Sequence, residues 1–283
     1  MSESNQGIPR VLHRILHPTD FTSGSERAFE HGLKLALVAK GRFYIVHSED
    51  EDDVDWTAFP GVRDTLARWG LLEQGVPSAA VADKLGIRVM KADAGDRDPV
   101  RGVLNFLNKH PCDLLVLATH AREGLPRWLH GSVGEPLSRK ARLPALFLPH
   151  ASRGFVSTDG GEVRLRSVLI PVDHSPSPSQ AVSLAIDLAD GFQTRETVFH
   201  LLHVGADGPR TPVDARHEPR FRCLQRGGPV VDAIVQAAGE LDADLVVMAT
   251  QGHDGFLDAF RGSTTEQVLR RAARAVLAVP AAQ

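Results

Sequence analysis

Cysteine is almost missing from this 283-residue chain, which has only Cys112 and Cys223, far apart in sequence. Two cysteines so placed support neither a disulfide framework nor a CxxC metal or redox site, so a reducing cytoplasm is the expected compartment. A dominant charge sign is missing too: 32 Lys and Arg stand against 35 Asp and Glu, a net charge of −3. That balance lacks the global footprint of a nucleic-acid or anionic-membrane binder. No run approaches the ~20 apolar residues of a membrane span, and residues 1–6 are polar with no signal-peptide core. Catalytic signatures are absent as well: there is no GxxxxGK[ST], GxGxxG or GxSxG, and no HxGH or SGGxDS. The 13 histidines hold no metal-ligand spacing. His13 and His17 lack the glutamate of HExxH, and His200 and His203 are three apart on a strand, facing opposite sides.

What the chain does have is repetition. Ile15-Leu16-His17-Pro18-Thr19-Asp20 returns as Val168-Leu169-Ile170-Pro171-Val172-Asp173. Asp113-Leu114-Leu115-Val116-Leu117-Ala118-Thr119 returns as Asp244-Leu245-Val246-Val247-Met248-Ala249-Thr250, and Gly131-Ser132-x-x-Glu135 as Gly262-Ser263-x-x-Glu266. The offset is 153 for the first pair and 131 for the others, so the first copy carries about 22 extra residues between 20 and 113. A stretch rich in Pro, Gly and small polar residues, near 149–164, separates the copies. The expected domains are residues 8–150 and 163–283.

Each copy alternates short apolar runs with amphipathic segments. In the second copy, strands are expected at 168–172, 198–204, 221–225, 244–249 and 275–279, with helices starting near Ala181, at Val230 and at Ser263. Continuous apolar strands between helices imply a parallel sheet covered on both faces. The first copy adds an acidic run, 49–53, and a helix with Val62, Leu66 and Trp69 on one face. The second has only 205–219 there, with three prolines, so no helix is expected.

Ligands of open parallel sheets bind beyond the carboxyl ends of the strands, where the strand order reverses. The candidates are Pro171, Val172 and Asp173 after the first strand of copy two, Val204 after the second, and Met248 and Ala249 at the end of the fourth. Gly252, Gly262, Ser263, Thr264 and Thr265 follow on the way into a helix N-terminus, a ready anion site. Two readings stand beside each other. Ser263-x-x-Glu266 also fits a capping box, and Asp173, like Asp20, fits a turn or capping aspartate. Arg210 or Arg216, in the 205–219 loop, is a candidate to reach a bound phosphate, but a surface loop with solvated charge is the favoured reading. Arg270, Arg271 and Arg274 fit the negative end of the last helix better than they fit a nucleic acid.

The Pro-x-Asp strand end, Leu202-His203-Val204, the Asp244–Ala249 strand and Ala249-x2-Gly252-x9-Gly262-Ser263 together resemble the universal stress protein family in its tandem form. The resemblance implies an α/β fold of two tandem open parallel five-stranded sheets, order 3-2-1-4-5, with helices on both faces. It also implies last strands paired as a pseudo-dimer within one chain, with a homodimer as the further possibility. In nucleotide-binding members the glycine signature holds the ribose and phosphates of ATP, and the Asp and second-strand Val border adenosine. Carried over, Asp173, Val172 and Val204 border adenosine, while Gly252, Gly262, Ser263 and Thr264 face the phosphates of ATP, with or without Mg. Ala249 stands where the signature has its first glycine. Copy one departs further, with Ala118, Ala121 and Ser48 at the matching positions, so binding is expected mainly in copy two. The implied function is a stress-response nucleotide sensor or interaction module with no catalytic residue and at most slow ATP hydrolysis. The alternative is a nucleotide-independent structural or interaction protein. A protein partner is compatible with either; nucleic acid and membrane are not expected partners.

Overall fold

The computed structural model describes residues 12–48, 56, 61–119, 137, 140–150, 152–209, 211, 213–251 and 263–281. The first half runs β1 (Arg14–Pro18), α1 (Glu26–Ala39), β2 (Arg42–His47), α2 (Val62–Arg68), α3 (Ala79–Leu85), β3 (Arg88–Asp93), α4 (Pro99–Lys109), β4 (Leu114–Thr119) and β5 (Ala145–Pro149). The second runs β6 (Ser167–Pro171), α5 (Ser179–Gly191), β7 (Val198–Val204), β8 (Phe221–Arg226), α6 (Val230–Glu240), β9 (Leu245–Thr250), α7 (Thr264–Arg271) and β10 (Ala275–Pro280). Every strand forecast in the second half is present. Between β7 and β8 the described residues form only a 3-10 turn, Glu218–Arg220, as the prolines require. In the first half the same connection holds α2, where Val62, Leu66 and Trp69 are all buried, and α3, which the hydrophobic pattern did not reveal.

Each half has the strand order 3-2-1-4-5, but the two sheets are not separate. They form one ten-stranded sheet, β3-β2-β1-β4-β5-β10-β9-β6-β7-β8. The join is antiparallel: Val276 pairs with Phe147, Leu277 with Leu146 and Ala278 with Ala145, all buried. An apolar edge strand left open is a template for aggregation, and each half closes the edge of the other. The hydrophobic layers on both faces continue across the join. One contains Ile15, Phe29 and Leu146 together with Val168, Leu184 and Leu277; the other contains Leu16 and Phe147 together with Val246 and Val276.

The aspartate that opens each repeat of the fourth strand has a structural task. Asp113 accepts the Arg14 backbone N–H at 2.8 Å and grips the Arg14 guanidinium. Asp244, almost fully buried, accepts the N–H groups of Arg166 (2.7 Å) and Ser167 (3.1 Å) and pairs with Arg153 at 2.9 Å. Each carboxylate thus fixes the fourth strand of its half to the start of the first. Both cysteines are free thiols, and burial pushes the Cys112 thiol up to about 12, which makes it unreactive.

The connection between the halves is folded against the first. Val156 and Val163 form an antiparallel bridge. The Phe155 ring lies 4.6 Å from His31 on α1 and 5.9 Å from Phe192 at the end of α5, so it packs between the halves. Nε2 of His31 accepts the N–H groups of Phe155 (2.9 Å) and Val156 (3.1 Å), which leaves the proton on Nδ1 to be donated to the Arg27 carbonyl. Gly154 has φ +65°, and a Cβ there would lie 2.4 Å from the His31 ring, so this turn requires glycine. Trp69 donates to the Thr158 carbonyl, and Thr158 donates to the Glu30 carboxylate, whose other oxygen takes Arg68.

A neutral His31 is therefore built into the junction. Burial lowers its pKa to about 4, and that of His17 on β1 to about 4 as well. The unfolded chain, with histidines near 6.5, takes up these protons first. Stability is complete above pH 6.5 and falls as the pH drops toward 4, by on the order of 2 kcal/mol per pH unit near pH 5.5 for the two groups together. Urea midpoints measured from pH 7.5 to 5 should fall accordingly, and a flat profile over that range would refute the burial of two neutral imidazoles.

Candidate functional site

β6 and β9 are neighbours, yet they pair only at Val168 with Leu245 and Leu169 with Val246. Beyond those two pairs β6 continues along β7 and β9 along β10, so the carboxyl ends of β6 and β9 part. This is also where the chain order reverses, the place where doubly wound sheets hold ligands. The first half parts in the same way: β1 meets β4 only at Ile15–Leu114 and Leu16–Leu115.

The two crevices are lined differently. In the first, the buried His17 donates from Nδ1 to the Val116 carbonyl at 2.9 Å, bridging the strands where their ladder stops. The matching residue of the second half is Ile170, which makes no such bridge. Asp20 is taken up by its own loop: Oδ1 accepts Thr22 N–H, the Thr22 hydroxyl (2.7 Å) and the Ser25 hydroxyl (2.6 Å). The turn reading thus describes Asp20. Phe21 stacks on His47 at 4.1 Å with Trp56 at its edge, adding aromatic bulk at the ends of β1 and β2.

In the second half Pro171 is half-buried, Val172 is buried and Asp173 is exposed, with the His174 N–H donating to its Oδ1 at 2.7 Å. Val204 is half-buried at the end of β7. Met248 is buried, and Ala249 and Thr250 are half-buried at the end of β9. Ser263 caps α7, its hydroxyl accepting the Glu266 N–H at 3.1 Å, while the Glu266 carboxylate pairs with Arg270. The capping reading therefore holds for Ser263. Thr264 is exposed on the first turn and Thr265 is buried. Gly252 and Gly262 lie outside the described residues, as do Ala121, Gly131, Ser132 and Arg210.

Two functions of nearby residues were not foreseen. His203, part of the Leu202-His203-Val204 strand end, donates from Nδ1 to the Val172 carbonyl at 3.1 Å. His47 does the same to Thr19 at 2.8 Å in the first half. The histidine shared by both second strands thus fixes the residue preceding each aspartate. His174 reaches across to the Asp207 carbonyl at 3.0 Å and meets the His203 ring edge-on, forming a wall of the second crevice. The recurrence of His at the same place in both copies was the available signal.

Arg216 follows the surface-loop reading and not the phosphate one. Its guanidinium lies 3.7 Å from Asp190, near the carboxyl end of α5, with Arg220 and His217 on the same carboxylate. α5 runs back from the site, so this cluster sits at the opposite end of the sheet. A parallel crossover must return the chain to the start of the next strand, and Arg216 lies on the far side of that return. Arg270, Arg271 and Arg274 are paired with Glu266, Asp232 and Asp242, so this cluster offers no uncompensated charge to a nucleic acid. Among the described residues no group of three His, Cys, Asp or Glu could hold a metal ion, and no helix is long and apolar enough to cross a membrane.

A doubly wound sheet in each half, open between its first and fourth strands, defines the class. The chain matches the Universal stress protein family over residues 12–149 and 211–280, and it belongs to that family. It is 26% identical over 145 residues to the universal stress protein MJ0531 of Methanocaldococcus jannaschii, covering 48% of this chain and 81% of that one. A universal stress protein from Archaeoglobus fulgidus has a similar fold (TM-score 0.63, 18% identity, 96% of this chain and 98% of that one). So has the functionally unknown protein PA1789 from Pseudomonas aeruginosa (TM-score 0.63, 18% identity, 99% and 95%).

The cap on α7 gives a direct check. Ser263→Ala should cost about 1 kcal/mol by exposing the Glu266 N–H. Chemical denaturation measures it, and an unchanged midpoint would show that the hydroxyl does not cap.

Proposed function

We propose that this stress protein binds an adenine nucleotide, ATP with Mg as first choice, in the crevice between β6 and β9. In this reading the nucleotide acts as a signal and not as a substrate, and the chain works in the cytoplasm. The units 8–150 and 163–283 divide the work: the second binds, and the first closes its sheet edge.

The contrast between the two aspartates carries the reading. Asp20 spends one carboxylate oxygen on three donors of its own loop, while Asp173 stands exposed at the open crevice with, among the described residues, only its neighbour's N–H. A carboxylate so placed can accept a sugar hydroxyl or a base amine. The start of α7, with the exposed Thr264, lies at the same end of the sheet, where helix N–H groups favour phosphate. Ala249 is half-buried, and its methyl packs against the hydrophobic layer that contains Val172 and Val279.

Calorimetric titration of nucleotide-stripped protein with Mg-ATP should give about one site per chain. Asp173→Ala should weaken binding tenfold or more, a loss of about 1.4 kcal/mol or greater. Asp20→Ala should leave binding unchanged. Two sites per chain would overturn the division of labour. No heat at several temperatures, with no thermal stabilisation, would favour the nucleotide-independent interaction protein.

A further inference from the structure

We propose that the amino-terminal edge of the first-half sheet is a docking surface for an acidic peptide segment of a partner protein. Arg14, Arg42 and Arg88 open β1, β2 and β3 and are direct register neighbours, Arg14 with Arg42 and Arg42 with Arg88. In-register neighbours on parallel strands leave the sheet on the same face, and adjacent strands lie about 4.8 Å apart. Three guanidinium groups therefore start from one row about 10 Å wide. Like charges side by side on neighbouring strands repel. Only Arg14 has an answering carboxylate, Asp113 at 2.6 Å. Among the described residues Arg42 and Arg88 have no ion-pair partner, and both are exposed.

The turns beside the row add to its charge. The Lys40 side chain lies against Gly86 in the turn before β3, and Lys84 is exposed at the end of α3, next in sequence to the exposed Asp83. The second half does not repeat the pattern. Its matching positions are Ser167, Val198 and Arg220, and Arg220 is bound to Asp190 at 2.7 Å. Arg153, Arg164 and Arg274 there share Asp242 and Asp244. The in-register arginine row is thus particular to the first half.

Chemistry selects the occupant. Guanidinium groups take carboxylates in paired hydrogen bonds, and Arg42 and Arg88 on adjacent strands, beside the Asp113-bound Arg14, suit a short segment with neighbouring Asp or Glu. A single-stranded nucleic acid needs stacking platforms; on that face Tyr44 and Phe106 are buried, and the half-buried His110 ring is packed against them. The surface stands apart from the nucleotide crevice, so the proposal is independent of that reading.

The test uses the full chain and a fluorescent peptide containing six consecutive glutamates, followed by anisotropy at low ionic strength. Binding should weaken at least tenfold in Arg42→Glu/Arg88→Glu, and to a lesser degree in Arg42→Gln/Arg88→Gln, with thermal unfolding unchanged because both side chains are exposed. Arg195→Glu/Arg222→Glu, which alters exposed charge in the second half by the same amount, should bind within twofold of the parent. Added salt should weaken binding by the parent chain. No peptide binding by the parent, an equal loss in the Arg195/Arg222 control, or tighter binding of a single-stranded DNA of equal charge would overturn the proposal.

Discussion

The antiparallel pairing of β5 with β10 is the constraint on which the rest of the structure depends. Each half alone would end in a fully apolar strand with a free row of N–H and C=O groups. Ala145-Leu146-Phe147-Leu148 and Ala275-Val276-Leu277-Ala278 find their missing partner in each other. The junction is antiparallel, so the strands of the second half run opposite to those of the first. The two crevices consequently open at opposite edges of one continuous sheet. A side chain of one half is thereby kept away from the other half's crevice, and the two sites can differ without interfering.

The junction is backed by polar contacts as well as apolar ones. The connecting segment spends its N–H groups on His31 and its Thr158 hydroxyl on Glu30. Burial favours the neutral form of the Glu30 carboxyl, against which the Thr158 hydroxyl and the Arg68 guanidinium act. Satisfied buried networks of this kind rigidify a junction, because a half-made network in a low-dielectric interior is costly. In the first half His17 bridges β1 to β4, and Oδ1 of Asp20 is held by Thr22 and Ser25 of its own loop.

Much of this was legible in the residues. The duplicated Pro-x-Asp and Asp-Leu-x-Val segments located strands one and four of each half, and the prolines of 205–219 excluded a helix. Val62, Leu66 and Trp69 revealed α2. Other features depend on contacts between residues distant in sequence. The short α3 has only Ala80 and Val81 buried, too little for a periodic signal. The parting of β6 from β9 is a matter of register, which strand composition does not encode. The opposite fates of Asp20 and Asp173 turn on Thr22 and Ser25, small hydroxyls whose partner is not evident until the loop is folded. That Arg216 lies near Asp190 follows from the path of the crossover, which sequence proximity to β7 does not reveal.

The central claim is that the two halves form one cooperative sheet through β5 and β10. Hydrogen exchange resolved to single amides tests it most directly. The account predicts that the strand amides of 145–148 and 275–279 exchange only through global unfolding, as slowly as those of β1 and β6. Fast exchange of β5 and β10 while the remaining strands stay protected would mean that the halves open independently, and would contradict it.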